Sequence, residues 1–196
     1  MLSGAKNLPK VKNRQTKPIP EVRTATTSFL LVSATFRIAI AICDNPDVKD
    51  WHYFRRKIVI RIIMGDLAFR ARLEAAAAPK TVAVFEALLP YEQPLIQARW
   101  SGEAAWVPLG DLDLGLATEN ATSYPSPGEM LLYPGGFSET EILVPYGRTC
   151  FASTLGQLAG NHFLTIIEGN ERLPELGRRV TWEGAQTIRF ERESAS

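Results

Sequence analysis

From Ile58 onward the chain falls into short stretches in which residues facing one way are apolar at every second position, and this alternation constrains the fold more than any other feature. Ile60, Ile62 and Met64 alternate with Val59, Arg61 and Ile63, and then Leu67, Phe69, Ala71 and Leu73 alternate with Ala68, Arg70, Arg72 and Glu74. A period of two belongs to a strand with one buried face. Gly65-Asp66 between the two stretches supplies a two-residue turn in which Gly takes a positive φ. The resulting register sets Ile62 opposite Phe69 inside and Arg61 opposite Arg70 outside. Facing arginines repel, so a carboxylate from a neighbouring strand is expected between them.

One strong helix follows. Pro79 suits a first helical position, Val82, Phe85, Leu88 and Leu89 recur at three- and four-residue spacing, and Pro90 stops the run. Beyond it, strand-like segments at 95–99, 103–107, 129–133, 140–144, 148–153 and 162–167 are separated by turn formers such as Ser101-Gly102 and Pro134-Gly135-Gly136. A short second helix at 174–179 and a last strand at 186–191 complete the series. About eight short strands cannot lie as an open sheet without leaving edges unpaired; closure removes the edges, and the helices can plug the open ends. The expected fold class is therefore mainly β: a closed, mostly antiparallel barrel of about eight strands capped by two helices.

Charge divides the chain in two. Residues 1–57 carry 11 Lys and Arg against 4 Asp and Glu, and residues 58–196 carry 11 against 17, so a leader near +7 precedes a body near −6. An acidic body lacks the clustered cations that neutralise phosphates, so no nucleic-acid partner is expected. Residues 1–57 read as a poorly ordered N-terminal extension, with Pro9, Pro18 and Pro20 interrupting any helix near its start. Its apolar run 29–43 is shorter than the roughly 20 residues that span a bilayer and carries Arg37 at its middle, so no membrane partner is expected. The leader also has the look of a targeting segment or of an early start, although no small-residue cleavage site ends it. Cys43 and Cys150 form no disulfide framework and no zinc spacing, which fits a cytoplasmic location.

The stretch Leu112-Asp113-Leu114-Gly115 to Glu119-Asn120-Ala121-Thr122-Ser123-Tyr124-Pro125, with Pro127-Gly128-Glu129, Leu132-Tyr133-Pro134-Gly135-Gly136, Gly156-Gln157-Leu158-Ala159-Gly160-Asn161-His162-Phe163 and Trp182-Glu183-Gly184-Ala185-Gln186, resembles a bacterial and archaeal family of unknown function. The resemblance covers essentially all of 58–191. It implies a cyclophilin-like barrel and no established activity, cofactor or catalytic residues. Prolyl isomerases of the cyclophilin class carry a Phe-His-Arg run on an early strand; the nearest run here, Phe69-Arg70-Ala71-Arg72, lacks the histidine. A fold does not carry function across such a gap.

Candidate chemistry then rests on individual residues. No phosphate-binding loop, dinucleotide fingerprint or paired histidines occur, and Gly136-Phe137-Ser138-Glu139-Thr140 lacks the last glycine of a nucleophile elbow. His162, the only histidine of the body, would under strict alternation share a face with Leu164 and Ile166 at the inner rim of the barrel. There it suits a general base; the competing reading is a core-edge histidine bonded to a backbone carbonyl. Glu139 and Glu141 lie on one face of their strand and could pair as carboxylates, but Thr140, Ile142 and Val144 read as the buried face, which puts Glu141 in solvent and leaves Glu139, beside the glycine turn, as the second catalytic candidate. Arg99, Trp100 and Glu103 cluster at one hairpin, and Glu119, Asn120 and Tyr124 enrich a long polar loop; over a barrel mouth these six would bind a ligand, with Arg99 on an anion and Trp100 or Tyr124 as the apolar wall.

These residues point first to a small polar metabolite, bound or both bound and acted upon at one mouth, with Arg99, Glu119, Asn120, Tyr124, Glu139 and His162 converging there. The alternatives are a peptidyl-prolyl cis-trans isomerase and a non-enzymatic, homo-oligomeric interaction module suggested by the apolar strand at 58–64. No metal ligands are assigned and the cofactor is unknown.

Overall fold

The computed structural model describes residues 58–193; the expected N-terminal extension, residues 1–57, lies outside the described residues. The chain runs β1 (Val59–Met64), β2 (Leu67–Leu73), α1 (Pro79–Leu88), β3 (Tyr91–Gln97), β4 (Gly102–Gly110), β5 (Ala121–Thr122), β6 (Glu129–Tyr133), β7 (Thr140–Thr149), β8 (Ala152–Ser153), β9 (Gly156–Gln157), β10 (Gly160–Glu168), a 3-10 turn (Asn170–Arg172), α2 (Leu173–Trp182) and β11 (Gln186–Arg192). Eight of the strands form a closed wall in the order β2-β1-β11-β3-β4-β7-β6-β10, with β10 pairing back onto β2 and every neighbour antiparallel. The protein is a mainly β, closed, eight-stranded antiparallel barrel with two helices.

The first hairpin shows why closure works. Ile62 faces Phe69 and Arg61 faces Arg70, with Gly65 at φ +59° in the turn. The repulsion between the arginines is relieved from both sides: Arg61 lies 3.7 Å from Glu191 of β11, and Arg70 pairs with Glu168 of β10 and Glu193. Pairs as exposed as these add little to stability. Their effect is to keep the outward face compatible with the pairing that the buried face drives.

Inside, Phe69, Phe85, Phe163 and Phe190 are all essentially inaccessible. Phe85 of α1 packs its ring 4.8 Å from Phe163 of β10 and 5.4 Å from Phe190 of β11, edge-on to the latter. Removing such a side chain from water stabilises by about 1.5–3 kcal/mol, so α1 is drawn into the barrel; Thr81 to Glu86 are all buried, and the predicted stripe is a nearly complete surround. Leu88 and Leu89 are only half-buried. Since α1 joins the end of β2 to the start of β3, it closes the end of the barrel away from the Gly65-Asp66 turn. The other helix, α2, joins β10 to β11 at the opposite end, where Arg179 reaches Asp66 at 2.5 Å. Among the described residues no helix is long and apolar enough to cross a membrane.

Three elements differ from expectation for identifiable reasons. The segment expected at 95–99 begins earlier, at Tyr91, because Pro94 sits in a strand at a position opposite Thr187 that the ladder tolerates. The segment expected at 140–144 runs on through Pro145 to Thr149, with a register shift against β4 that absorbs the proline. The segment expected at 148–153 is not one strand: its first two residues finish β7, and Ala152–Ser153 pairs with Gly156–Gln157 as a small hairpin of its own.

Candidate functional site

Residues of β4, β7 and β6 that point away from the barrel interior are also buried. Ala104, Leu143, Leu131 and Tyr133 form a second apolar cluster, covered by Phe151 and Leu158 from the segment that carries β8 and β9. Ser101 holds that cover down: its hydroxyl donates to the Ala152 carbonyl at 3.0 Å and accepts from the Ala152 N–H at 3.2 Å, while its carbonyl accepts from the Cys150 N–H. Tyr133, edge-on to Phe151, has a hydroxyl that accepts from the Phe137 N–H at 3.2 Å and so fixes the turn leading into β7.

Where the cover stops short, a cleft of about 360 Å³ opens against the outer wall. Ile96, Trp106 and Glu141 form its floor; Arg99 and Trp100, Ser138 and Glu139, and Ala152 to Thr154 form its rim. Trp100 is 62% exposed, whereas Trp106 is half-buried against the second cluster. Arg99 makes no ion pair among the described residues.

Glu141 is the unusual group. It is only 6% exposed, and its cross-strand neighbours, Pro108 and Tyr133, offer its carboxyl no hydrogen bond. Seven polar or charged residues are buried among those described. Thr81, Glu86, Ser101, Thr140, Thr149 and Asn161 all have a side-chain partner, and Glu141 has none. Burial first, and the nearby charge of Glu139 second, push its carboxyl up to about 8. At neutral pH it is mostly a neutral acid.

The expectation that Glu141 stands in solvent is therefore corrected. Thr140, Ile142 and Val144 do face the interior, but the opposite face lies under the Phe151–Leu158 cover. The unbroken apolar run Ile142-Leu143-Val144, like Met130 to Tyr133, is what a strand buried on both faces looks like. That was the available signal for Glu141. Gln97, Trp106, Ser153 and Thr154 are further cleft residues that the sequence did not single out.

The eight candidate residues are not brought together. Arg99, Trp100 and Glu139 reach the cleft; the others have partners elsewhere. Glu119 accepts from the Thr81 N–H at 2.6 Å, capping the start of α1, where Ala78 supplies no side-chain cap. Asn120, at φ +48°, donates to the His162 carbonyl. Tyr124 accepts from Gln157, and Glu103 accepts from the Arg148 N–H at 2.7 Å. A bulge in β10 between His162 and Leu164 breaks the alternation, burying Phe163 and Leu164 in succession and turning His162 outward instead of to the inner rim. There its Nε2 lies 2.9 Å from Thr165 Oγ1, whose single proton goes to Glu74 at 2.7 Å, so Nε2 is the donor. Burial opposes ionisation of Glu74, but the hydrogen bonds from Thr165 and Arg72 outweigh it and hold the carboxyl below its ordinary range.

The family model described as "Protein of unknown function (DUF3830)" matches residues 60–192, the whole barrel. The chain belongs to the DUF3830 family. No curated protein matches this DUF3830 chain. Among solved structures it is similar to McbB in complex with tryptophan, at 21% identity and a TM-score of 0.54, over 70% of this chain and 45% of that one. It thus spans under half the length of the McbB chain. A hypothetical protein, AF2241 from Archaeoglobus fulgidus, aligns at 16% identity and a TM-score of 0.47, over 70% of this chain and 96% of that one. At such identities the likeness to McbB speaks for the fold alone.

Proposed function

We propose that this DUF3830 protein binds a small polar molecule in the cleft on the outer wall of its barrel, with Glu141 as the group that meets it. The observation that carries the reading is the carboxyl of Glu141: buried, without a partner among the described residues, and set in the floor of a cleft. An unpaired buried polar group costs about 1–3 kcal/mol, and a ligand that completes its hydrogen bonds recovers that cost. The cleft volume falls within the range of small-molecule sites. Trp100 and Trp106 supply apolar walls, and Arg99 supplies a cation for a carboxylate or phosphate on the ligand. The barrel interior is filled by aromatic side chains and α1.

Chemistry on the bound molecule is within reach of the same pair. A carboxyl that titrates near 8 beside a second carboxylate can hold or give up a proton at neutral pH, the property a general acid or base needs. A reducing cytoplasm suits the exposed free thiol of Cys150.

The test is a thermal-shift screen of the full chain against a metabolite panel. Ligands that bind the native state raise Tm, and hits are expected to weaken at least about tenfold in Arg99→Ala and in Glu141→Leu. A panel without hits, or with hits indifferent to both substitutions, contradicts the reading.

A further inference from the structure

The walls of the cleft narrow the class of molecule it takes. We infer that the ligand presents a planar ring with a carbonyl beside an N–H, the edge of a lactam or cyclic imide, paired with the Glu141 carboxyl and flanked by the Trp100 and Trp106 indoles. This rests on the cleft being a ligand site, as proposed above.

Three features lead there. Both oxygens of Glu141 are unengaged, and the only charged groups sharing the cleft are Glu139, two residues along the same strand, and Arg99 on the β3–β4 turn. The Tyr133 hydroxyl, on the adjoining strand β6, accepts from the Phe137 and Ser138 N–H groups and makes no hydrogen bond to Glu141. Arg99 forms no ion pair with Glu141, no other cation lines the cleft, and burial favours the protonated form of Glu141. A neutral carboxyl offers an O–H donor and a C=O acceptor side by side in one plane. Its complement is a cis-amide edge, which accepts and donates at the same spacing; a ligand with only one of the two functions leaves half of the carboxyl unpaired.

The second feature is shape. Two indoles among the lining residues favour a flat ring, because stacking and edge contacts between π-systems reward planarity. The third is size: about 360 Å³ accommodates one or two fused rings with a small substituent within reach of Arg99. A primary ammonium is the rival occupant, since it would satisfy an ionised Glu141 and the indole faces together. Arg99 at the rim opposes it, and the two occupants respond oppositely to pH.

Binding of 2-quinolone and of 1-methyl-2-quinolone to the full chain, followed through the indole N–H signals of Trp100 and Trp106, tests the inference. The lactam is expected to bind at least about tenfold more tightly than its N-methyl derivative. Glu141→Gln keeps that preference, because a carboxamide presents the same donor and acceptor, and Glu141→Leu abolishes it. Raising the pH from 6 to 9 weakens 2-quinolone binding to the wild type about tenfold, as the carboxyl ionises, and leaves the Gln variant unchanged. No binding of 2-quinolone, equal binding of the two compounds, or an affinity that rises with pH overturns the inference. If metabolites bind at the cleft and lose affinity in Arg99→Ala while 2-quinolone fails, the ligand class falls and the cleft stands. If no compound responds to Arg99 or Glu141, the cleft itself falls.

Discussion

A single carboxyl carries most of the consequences at the scale of the residue. Glu141 titrates near 4.5 when exposed and near 8 in the fold. Below pH 4.5 it is protonated in both states and adds no pH dependence to stability. Between 4.5 and 8 only the unfolded chain releases the proton, so the native state holds more protons and its stability falls as pH rises; above 8 the loss is complete. Each tenfold difference in proton affinity between the two states is worth about 1.4 kcal/mol, so the full loss is a few kcal/mol. Glu141→Gln removes this slope. Denaturant unfolding is expected to find the variant roughly 2–5 kcal/mol more stable than the wild type at pH 9 and within about 1 kcal/mol of it at pH 4. Comparing the two proteins cancels the opposing contributions of Glu74 and Glu175, whose carboxyls are held low by their partners. Equal stabilities at pH 9 would mean that Glu141 is ionised and paired. This residue was not legible in the sequence, because alternation within β7 fixes which side chains face the interior and is silent about what covers the other side. Arg99 and Trp100 were legible as cleft candidates, since a hairpin turn exposes them whatever covers the strands.

At the scale of the element, packing repeatedly decides against local preference. Gly177 sits inside α2, where alanine is better by about 1 kcal/mol, yet a Cβ there would run into the ring of Tyr146. That ring cannot swing away freely, because its hydroxyl donates to Gln97 at 2.9 Å. Overpacking costs typically about 1–3 kcal/mol, so the collision outweighs the propensity. Gly177→Ala is expected to lower stability by about 1–2 kcal/mol in thermal or denaturant unfolding; an increase would show that α2 rides loosely over the barrel end. The same contest explains which elements could be read from the sequence. The β1–β2 hairpin was legible to the register, because Gly65-Asp66 and two alternating runs leave one solution. The phase of β10 was not, because the bulge at Phe163 answers to cross-strand packing against Met130 and Leu131 and has no local signature. Nor was the role of Glu119, since a polar loop residue that caps a distant helix looks like one that awaits a ligand.

Across the whole molecule, the packed interior and the proposed cleft occupy opposite faces of one wall. The number of strands, their antiparallel pairing and the two helical plugs follow from a chain of short alternating segments that cannot leave edges open. The interior this creates is filled by Phe69, Phe85, Phe163 and Phe190, and the cleft proposed as the ligand site lies outside it, beside the Phe151–Leu158 cover. Everything proposed for that cleft depends on Glu141 being desolvated and unpaired. The decisive measurement is a carboxyl-carbon NMR titration of Glu141 in the full chain, alongside Glu139→Gln. A midpoint near 8 that moves down when the charge of Glu139 is removed is the predicted result; a midpoint near 4.5, unmoved by the substitution, would contradict the account.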